Sequence, residues 1–318
     1  MLMSNHPGVN GISVTAANVQ NVEDQGANNN DQNAPKCRVR RKYKFANWLV
    51  TGQSPPLQLN SRFPVSIEEI IHYSAIVELA HTPHKKTLGV LYQKVHCSYQ
   101  SLGESFMPEG EVDNFLIPCF CRVLFEERHP SSSGRHYFFP HIGDSILKYV
   151  GEHQESTVRG SFEGAAKASK GRNLGHSDNR LFFPIVDSGH WFTFAVDFEY
   201  KLFVFLDSYY DKNSPFHLRI KDRLIDNFVH LWELIISDRH NFGTFRAMYP
   251  HVPKQQTLKD RGIFTMKFME DWKPFIDMRK IFSYHDVLNL RVLYANRNYF
   301  FSQNEADLSL ATNFYAAG

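Results

Sequence analysis

Residues Gly189 to Ser208, GHWFTFAVDFEYKLFVFLDS, constrain this chain more than any other stretch, because two apolar runs joined by a short polar turn are buried most simply by pairing with each other. Phe192, Phe194, Val196 and Phe198 share one face under the period-two rule, Glu199-Tyr200-Lys201 forms the turn, and Leu202 to Leu206 runs back. An antiparallel return brings the far ends together. His190, at the mouth of the first strand, is then set beside Asp207, at the end of the second, although 17 positions separate them. That is the arrangement in which a carboxylate orients an imidazole for proton transfer. A His-Trp that opens a strand and an Asp-Ser that closes one are also ordinary edge and turn residues, so a functional reading needs a second signal.

The second signal is Val252 to Trp272, VPKQQTLKDRGIFTMKFMEDW. A loop containing Pro and Gln runs into Asp260-Arg261-Gly262 and then into an apolar helical run. Asp260 is the expected N-cap, and Phe264, Phe268 and Trp272 at i, i+4 and i+8 predict a helix buried along one face.

Taken together, these residues resemble the ubiquitin-like-protein-specific, SUMO-type cysteine proteases and, in the style of loop and helix, the transposon-associated plant branch of that family. The family pattern is His-Trp, an Asp-Ser 17 residues after the His, and a Gln six residues before the Cys of an Asp-Cys-Gly that opens a buried helix. His190-Trp191, Asp207-Ser208, Gln255 and Asp260-x-Gly262 follow it in order and spacing, within a resemblance that covers roughly residues 110 to 280. The resemblance implies an α+β fold of the papain-like or adenovirus-protease-like kind, with a central mixed sheet packed by helices. It implies His190 as the base, Asp207 as its orienter, Gln255 as the oxyanion-hole donor and Trp191 as a wall for the Gly-Gly end of a ubiquitin-like modifier. It implies no cofactor, and its partner would be a SUMO-like modifier or a conjugate of one.

One position departs from the pattern: where the family has its nucleophilic cysteine, this chain has Arg261. The family reaction needs a thiolate at a helix N-terminus, with the histidine taking the thiol proton. A guanidinium stays protonated and is neither nucleophile nor general base. None of Cys37, Cys97, Cys119 and Cys121 lies within 130 residues of Arg261 along the chain. The first reading is therefore a catalytically impaired family member retained as a modifier-binding protein. Against it stand an active cysteine-type peptidase with an unrecognised nucleophile, and a transposon-derived remnant with neither role. A cysteine sulfur or serine oxygen within reach of His190 would favour the peptidase. Arg261 carries the wrong sign for a helix N-terminus, so it is expected to turn away and pair with Asp260 or Asp207, the latter at the expense of the His190 contact.

Composition narrows the setting. The chain has 318 residues, 42% hydrophobic and 14% aromatic, enough for one substantial core with flanking segments. A net charge of +2 gives no global argument for nucleic acid, so such a contact would be local, through the six basic residues in nine of Lys36 to Lys44. That run suits a nuclear-import signal and a solvated linker equally well. Four irregularly spaced cysteines, no signal peptide and no apolar run near 18 residues lead to an expectation of nucleus or cytoplasm, with free thiols and no membrane. His81 and His84 lack a second pair of ligands, and Cys119-x-Cys121 on a helix points two ways, so no metal site is expected.

The expected organisation is a disordered basic tail over 1–45, a helical and loop extension over 46–109, the protease domain over 110–282, and a C-terminal helix and tail over 283–318. Ser66 caps a helix running towards Ala80 with Ile67, Ile70, Ile71 and Ala75 inward, followed by short strands at Leu88 to Tyr92 and Val95 to Tyr99. Glu111 to Glu127 reads as a buried helix with a late start or a kink at Pro118, and Tyr137 to Pro140 as a short strand. Gly151 to Arg180 reads as an exposed polar insertion, and Leu181 to Val186 as a strand with Pro184 at an edge or bulge. Ile220 to Ile236 forms a long amphipathic helix with Leu224, Phe228, Leu231, Leu234 and Ile235 inward. Ser283 to Ser302 is helical, and no packing pattern shows beyond Glu305.

Overall fold

Seven strands organise the described residues: β1 (Leu88–Tyr92), β2 (Val95–Ser98), β3 (Arg135–Tyr137), β4 (Arg180–Asp187), β5 (His190–Asp197), β6 (Leu202–Leu206) and β7 (Arg246–Met248). The computed structural model describes residues 61–170, 173–236 and 239–315, so the expected tail, the run Lys36 to Lys44 and the stretch 46–60 lie outside the described residues. β1 and β2 form a separate antiparallel pair, and the other five make one sheet in the order β3-β4-β5-β6-β7. Its outer pairs are parallel and its inner pairs antiparallel. This is the mixed sheet of the expected α+β fold.

The central hairpin pairs Thr193 with Leu206 and Asp197 with Leu202, as the spacing predicts. Every residue of β5 and β6 is buried, because helices cover both faces of the sheet. The period of two therefore sorts side chains between two cores rather than between core and water. Phe192, Phe194 and Phe205 meet Phe228, Leu231 and Trp232 of the Pro215–Ile235 helix on one side. Trp191, Ala195 and Val204 meet Phe264 and Phe268 of the Arg261–Asp271 helix, with Phe120 and Leu124 of the Leu116–Glu127 helix, on the other. The Ile67–Leu79 and Val287–Tyr299 helices share this second core.

Several local expectations need correction. The early helix begins at Leu116 rather than Glu111, because Asp113 accepts the Phe115 N–H at 2.6 Å in a turn and Pro118 falls in the first helical turn. Ser66 caps its helix in a reciprocal box with Glu69, but the inward stripe is Tyr73, Ile76, Val77 and Leu79 with Ala75, while Ile67 is exposed. Gly151 to Arg180 contains a 17-residue helix, Glu152–Ala168, whose Val158 and Phe162 enter the first core at an i, i+4 spacing. The strand expected at Tyr137 to Pro140 ends at Tyr137, and Pro140 opens the Pro140–Leu147 helix, where its missing N–H costs nothing. Leu234 is exposed, whereas Leu308, Leu310, Phe314 and Tyr315 pack against the second core. Pro184 causes no bulge in the β4–β5 ladder and lies beyond Phe182, the last β4 residue paired with β3. Among the described residues no helix is long and apolar enough to cross a membrane.

Candidate functional site

His190 opens β5 and Asp207 follows the last residue of β6, so the hairpin register carries both to one end of the sheet. The Nε2 of His190 lies 2.9 Å from Oδ2 of Asp207, and both residues are buried. The imidazole stacks on Phe192 and is held edge-on by Tyr210 and Phe216. Oδ1 of Asp207 accepts the backbone N–H groups of Tyr209 and Tyr210 at 2.7 and 2.9 Å.

His217 was not anticipated. It sits in the first turn of the Pro215–Ile235 helix, is fully buried, and places its Nε2 2.9 Å from the same Oδ2. The signal for it was present: His217, Ile220, Leu224, Phe228 and Leu231 form one inward stripe, in which a histidine needs a buried acceptor. Burial alone would raise the Asp207 acid. The hydrogen bonds from His190 and His217, the His190 charge and the Tyr209 N–H outweigh it and hold the carboxyl well below the usual range. Asp207 is thus an ionised acceptor to which both imidazoles donate through Nε2–H.

Gln255 is tied to the same strand end. Its N–H donates to the Ser208 carbonyl at 3.0 Å, and its Oε1 accepts the Ser208 hydroxyl at 2.5 Å. Its Nε2 is buried without a hydrogen-bond partner. Lys254 reinforces the loop by donating to the carbonyls of Asp207, Tyr209 and Tyr210. Trp191 alternates away from His190 and packs in the second core, 3% exposed.

Arg261 opens the Arg261–Asp271 helix. Its guanidinium lies 3.9 Å from where a Cβ on Gly189 would stand, and its Nη2 pairs with Glu111 at 3.2 Å. The expected partners are both engaged elsewhere. Asp260 binds Arg291 at 2.7 Å and Thr257 at 2.8 Å, which also prevents it from acting as a side-chain cap. Asp207 is held by its two histidines, so Arg261 leaves the His190 contact undisturbed. The helix itself is buried from Gly262 through Met269 rather than along one face, with Lys267 paired to Glu270 and Asp271. A Cβ on Gly262 would stand 2.3 Å from the Val112 Cβ. Only glycine lets the Glu111-Val112 segment cross the helix start, and that crossing delivers Glu111 to Arg261.

Among the described residues no nucleophile reaches the His190 side chain, whose hydrogen-bond partner is Asp207. The Ser208 hydroxyl is given to Gln255 and the Ser188 hydroxyl to Asp187. Cys97, Cys119 and Cys121 are buried and free. The hydrogen bond with Cys119, and then burial, push the Cys97 thiol up, and burial does the same to Cys121, the reverse of an activated thiol. Cys37 lies outside the described residues, and among those described no group of His, Cys, Asp and Glu could hold a metal ion.

Residues 148–273, which include His190, Asp207, Gln255 and Arg261, match the Ulp1 protease family, C-terminal catalytic domain. No curated protein matches the chain. Among solved structures, the C-terminal Ulp1 protease domain in complex with SMT3, the yeast orthologue of SUMO, superposes with a TM-score of 0.58 at 14% identity, covering 77% of this chain and 100% of that one. The SUMO protease Ulp1 with its catalytic cysteine oxidised to a sulfenic acid gives 0.56 at 14%, with the same coverage. The Chaetomium thermophilum Ulp1-like SUMO protease catalytic domain gives 0.56 at 16%, covering 77% and 93%. The chain therefore has a Ulp1-like fold, and its residues 148–273 are similar to the catalytic domain of the Ulp1 protease family.

Proposed function

We propose that this protein is a non-hydrolysing relative of the SUMO proteases that holds a ubiquitin-like modifier, or a conjugate of one, beside His190 without cleaving it. Arg261 carries the reading. Hydrolysis by this route needs an atom at the helix end that attacks the carbonyl carbon, gives its proton to His190 and holds the acyl group. A guanidinium does none of these. The rest of the apparatus supports retention of binding: the 2.9 Å contact between His190 and Asp207, and a buried Gln255 amide nitrogen awaiting an acceptor, as an oxyanion donor would. The SMT3-bound Ulp1 domain supports a SUMO-like modifier as the ligand class. The style of the Gln255–Trp272 loop and helix supports an origin in the transposon-associated plant branch. An active peptidase would require a sulfur or oxygen on His190, and the described residues supply none.

The test uses purified protein and modifiers fused at their C-termini to a fluorophore. We expect no release above a His190→Ala control, and saturable binding of at least one modifier by calorimetry. Turnover above that control would overturn the inactive reading. Failure to bind SUMO, ubiquitin or their relatives would overturn the binding one.

A further inference from the structure

We infer that Arg261 is a receptor for a free C-terminal carboxylate, so that the ligand is a processed modifier rather than a conjugate or a precursor. This rests on the modifier-binding reading above and specifies which form of the modifier is bound. A thiolate at the helix end would repel a carboxylate, whereas Arg261 reverses the sign at that position. A peptide or isopeptide carbonyl is neutral and makes no demand on a guanidinium; a free chain terminus carries a full charge and two oxygens that match the planar fork. The Arg261 side chain is 18% exposed, largely desolvated yet reachable. Its contact with Glu111 uses Nη2 alone.

The surroundings agree with that sign. The helix N-terminus adds partial positive charge. The Gln255 Nε2, whose side chain is bonded to Ser208, is a buried donor without an acceptor. The negative charge of Asp207 is already spread over two imidazoles and two backbone N–H groups, so it opposes an anion only weakly. Glu111, its side chain 58% exposed, then acts as an internal stand-in whose carboxylate occupies the guanidinium until a chain terminus displaces it. The displaced Glu111 carboxylate, already exposed, is left to water, so the exchange leaves no buried charge unpaired.

The experiment titrates the full chain calorimetrically with mature SUMO ending in a free carboxylate, and with the same polypeptide ending in a carboxamide. The carboxylate form should bind about tenfold tighter or more, the scale of a charge-assisted bidentate pair. Arg261→Gln should abolish the difference. Glu111→Gln, a change at an exposed loop, should tighten the carboxylate form about threefold by removing its competitor. Equal affinity of the two forms for the wild type, or a preference that survives Arg261→Gln, overturns this inference and leaves the modifier-binding reading standing. The same carboxylate and carboxamide pair is made from ubiquitin and its relatives, and the inference is read on whichever modifier binds; binding of none of them in either form overturns that reading and this inference together.

Discussion

Replacing Arg261 with cysteine should turn an inert helix start into one that reacts with a thiol-directed electrophile. The structure makes this a small perturbation. Arg261 is paired with Glu111 and not with Asp207, so its removal leaves the 2.9 Å contact between His190 and Asp207 in place. Loss of an ion pair with one exposed member costs about 0.5 kcal/mol. A thiol at the N-terminus of this 11-residue helix, beside an imidazole, should fall from about 8.5 to about 7 or below. Its thiolate fraction at pH 7 would rise from about 3% to about half, a gain of roughly 15-fold in reactive species. The assay is the first-order rate of labelling by a modifier carrying a C-terminal electrophile, read as a mass shift on a gel. We expect labelling of Arg261→Cys well above Arg261→Ala, and its reduction about tenfold or more in Arg261→Cys/His190→Ala. The four natural cysteines are present in every variant and cancel in the comparison. If Arg261→Cys melts like the wild type and binds modifier but labels no faster than Arg261→Ala, the base and orienter roles assigned to His190 and Asp207 are wrong.

Glu270 supplies a pH-dependent prediction. Burial alone would raise its acid, but Lys267 and Arg297 outweigh this and lower it from 4.5 to about 2. A depressed folded value contributes stability that is present above pH 4.5 and lost as pH falls towards 2, on the order of 3 kcal/mol in full. Glu270→Gln should therefore lower the urea midpoint at pH 7 and flatten the loss between pH 4.5 and 2; an unchanged acid limb would refute the assignment. Gly262→Ala should destabilise by about 2 kcal/mol, because the added Cβ would stand 2.3 Å from that of Val112, and Val112→Ala should recover part of the loss in thermal melts. Lys36 to Lys44 should carry a fused reporter into the nucleus. Unchanged localisation after replacing Arg40, Arg41 and Lys42 with alanine would remove that role.

The pairing of His190 with Asp207 is legible in the residue order because a strand has a period of two and the turn between β5 and β6 is short. That turn fixes the register, and the register carries the two residues to the same end. The buried helix after Arg261 was legible for a similar reason, since Phe264, Phe268 and Trp272 repeat at its own period. The Glu152–Ala168 helix was not, because it buries only Val158 and Phe162, and what they pack against comes from distant segments. The environment of the site was a tertiary decision throughout. His217 shares a carboxylate oxygen with His190 because a helix start and a strand end converge there. Arg261 finds Glu111, 150 positions away, because Arg291 has taken Asp260, the two imidazoles have taken Asp207, and the absent side chain of Gly262 lets the Glu111 segment cross. Charge pairing follows distance in space and the prior claims on each acceptor, and neither is written in local sequence.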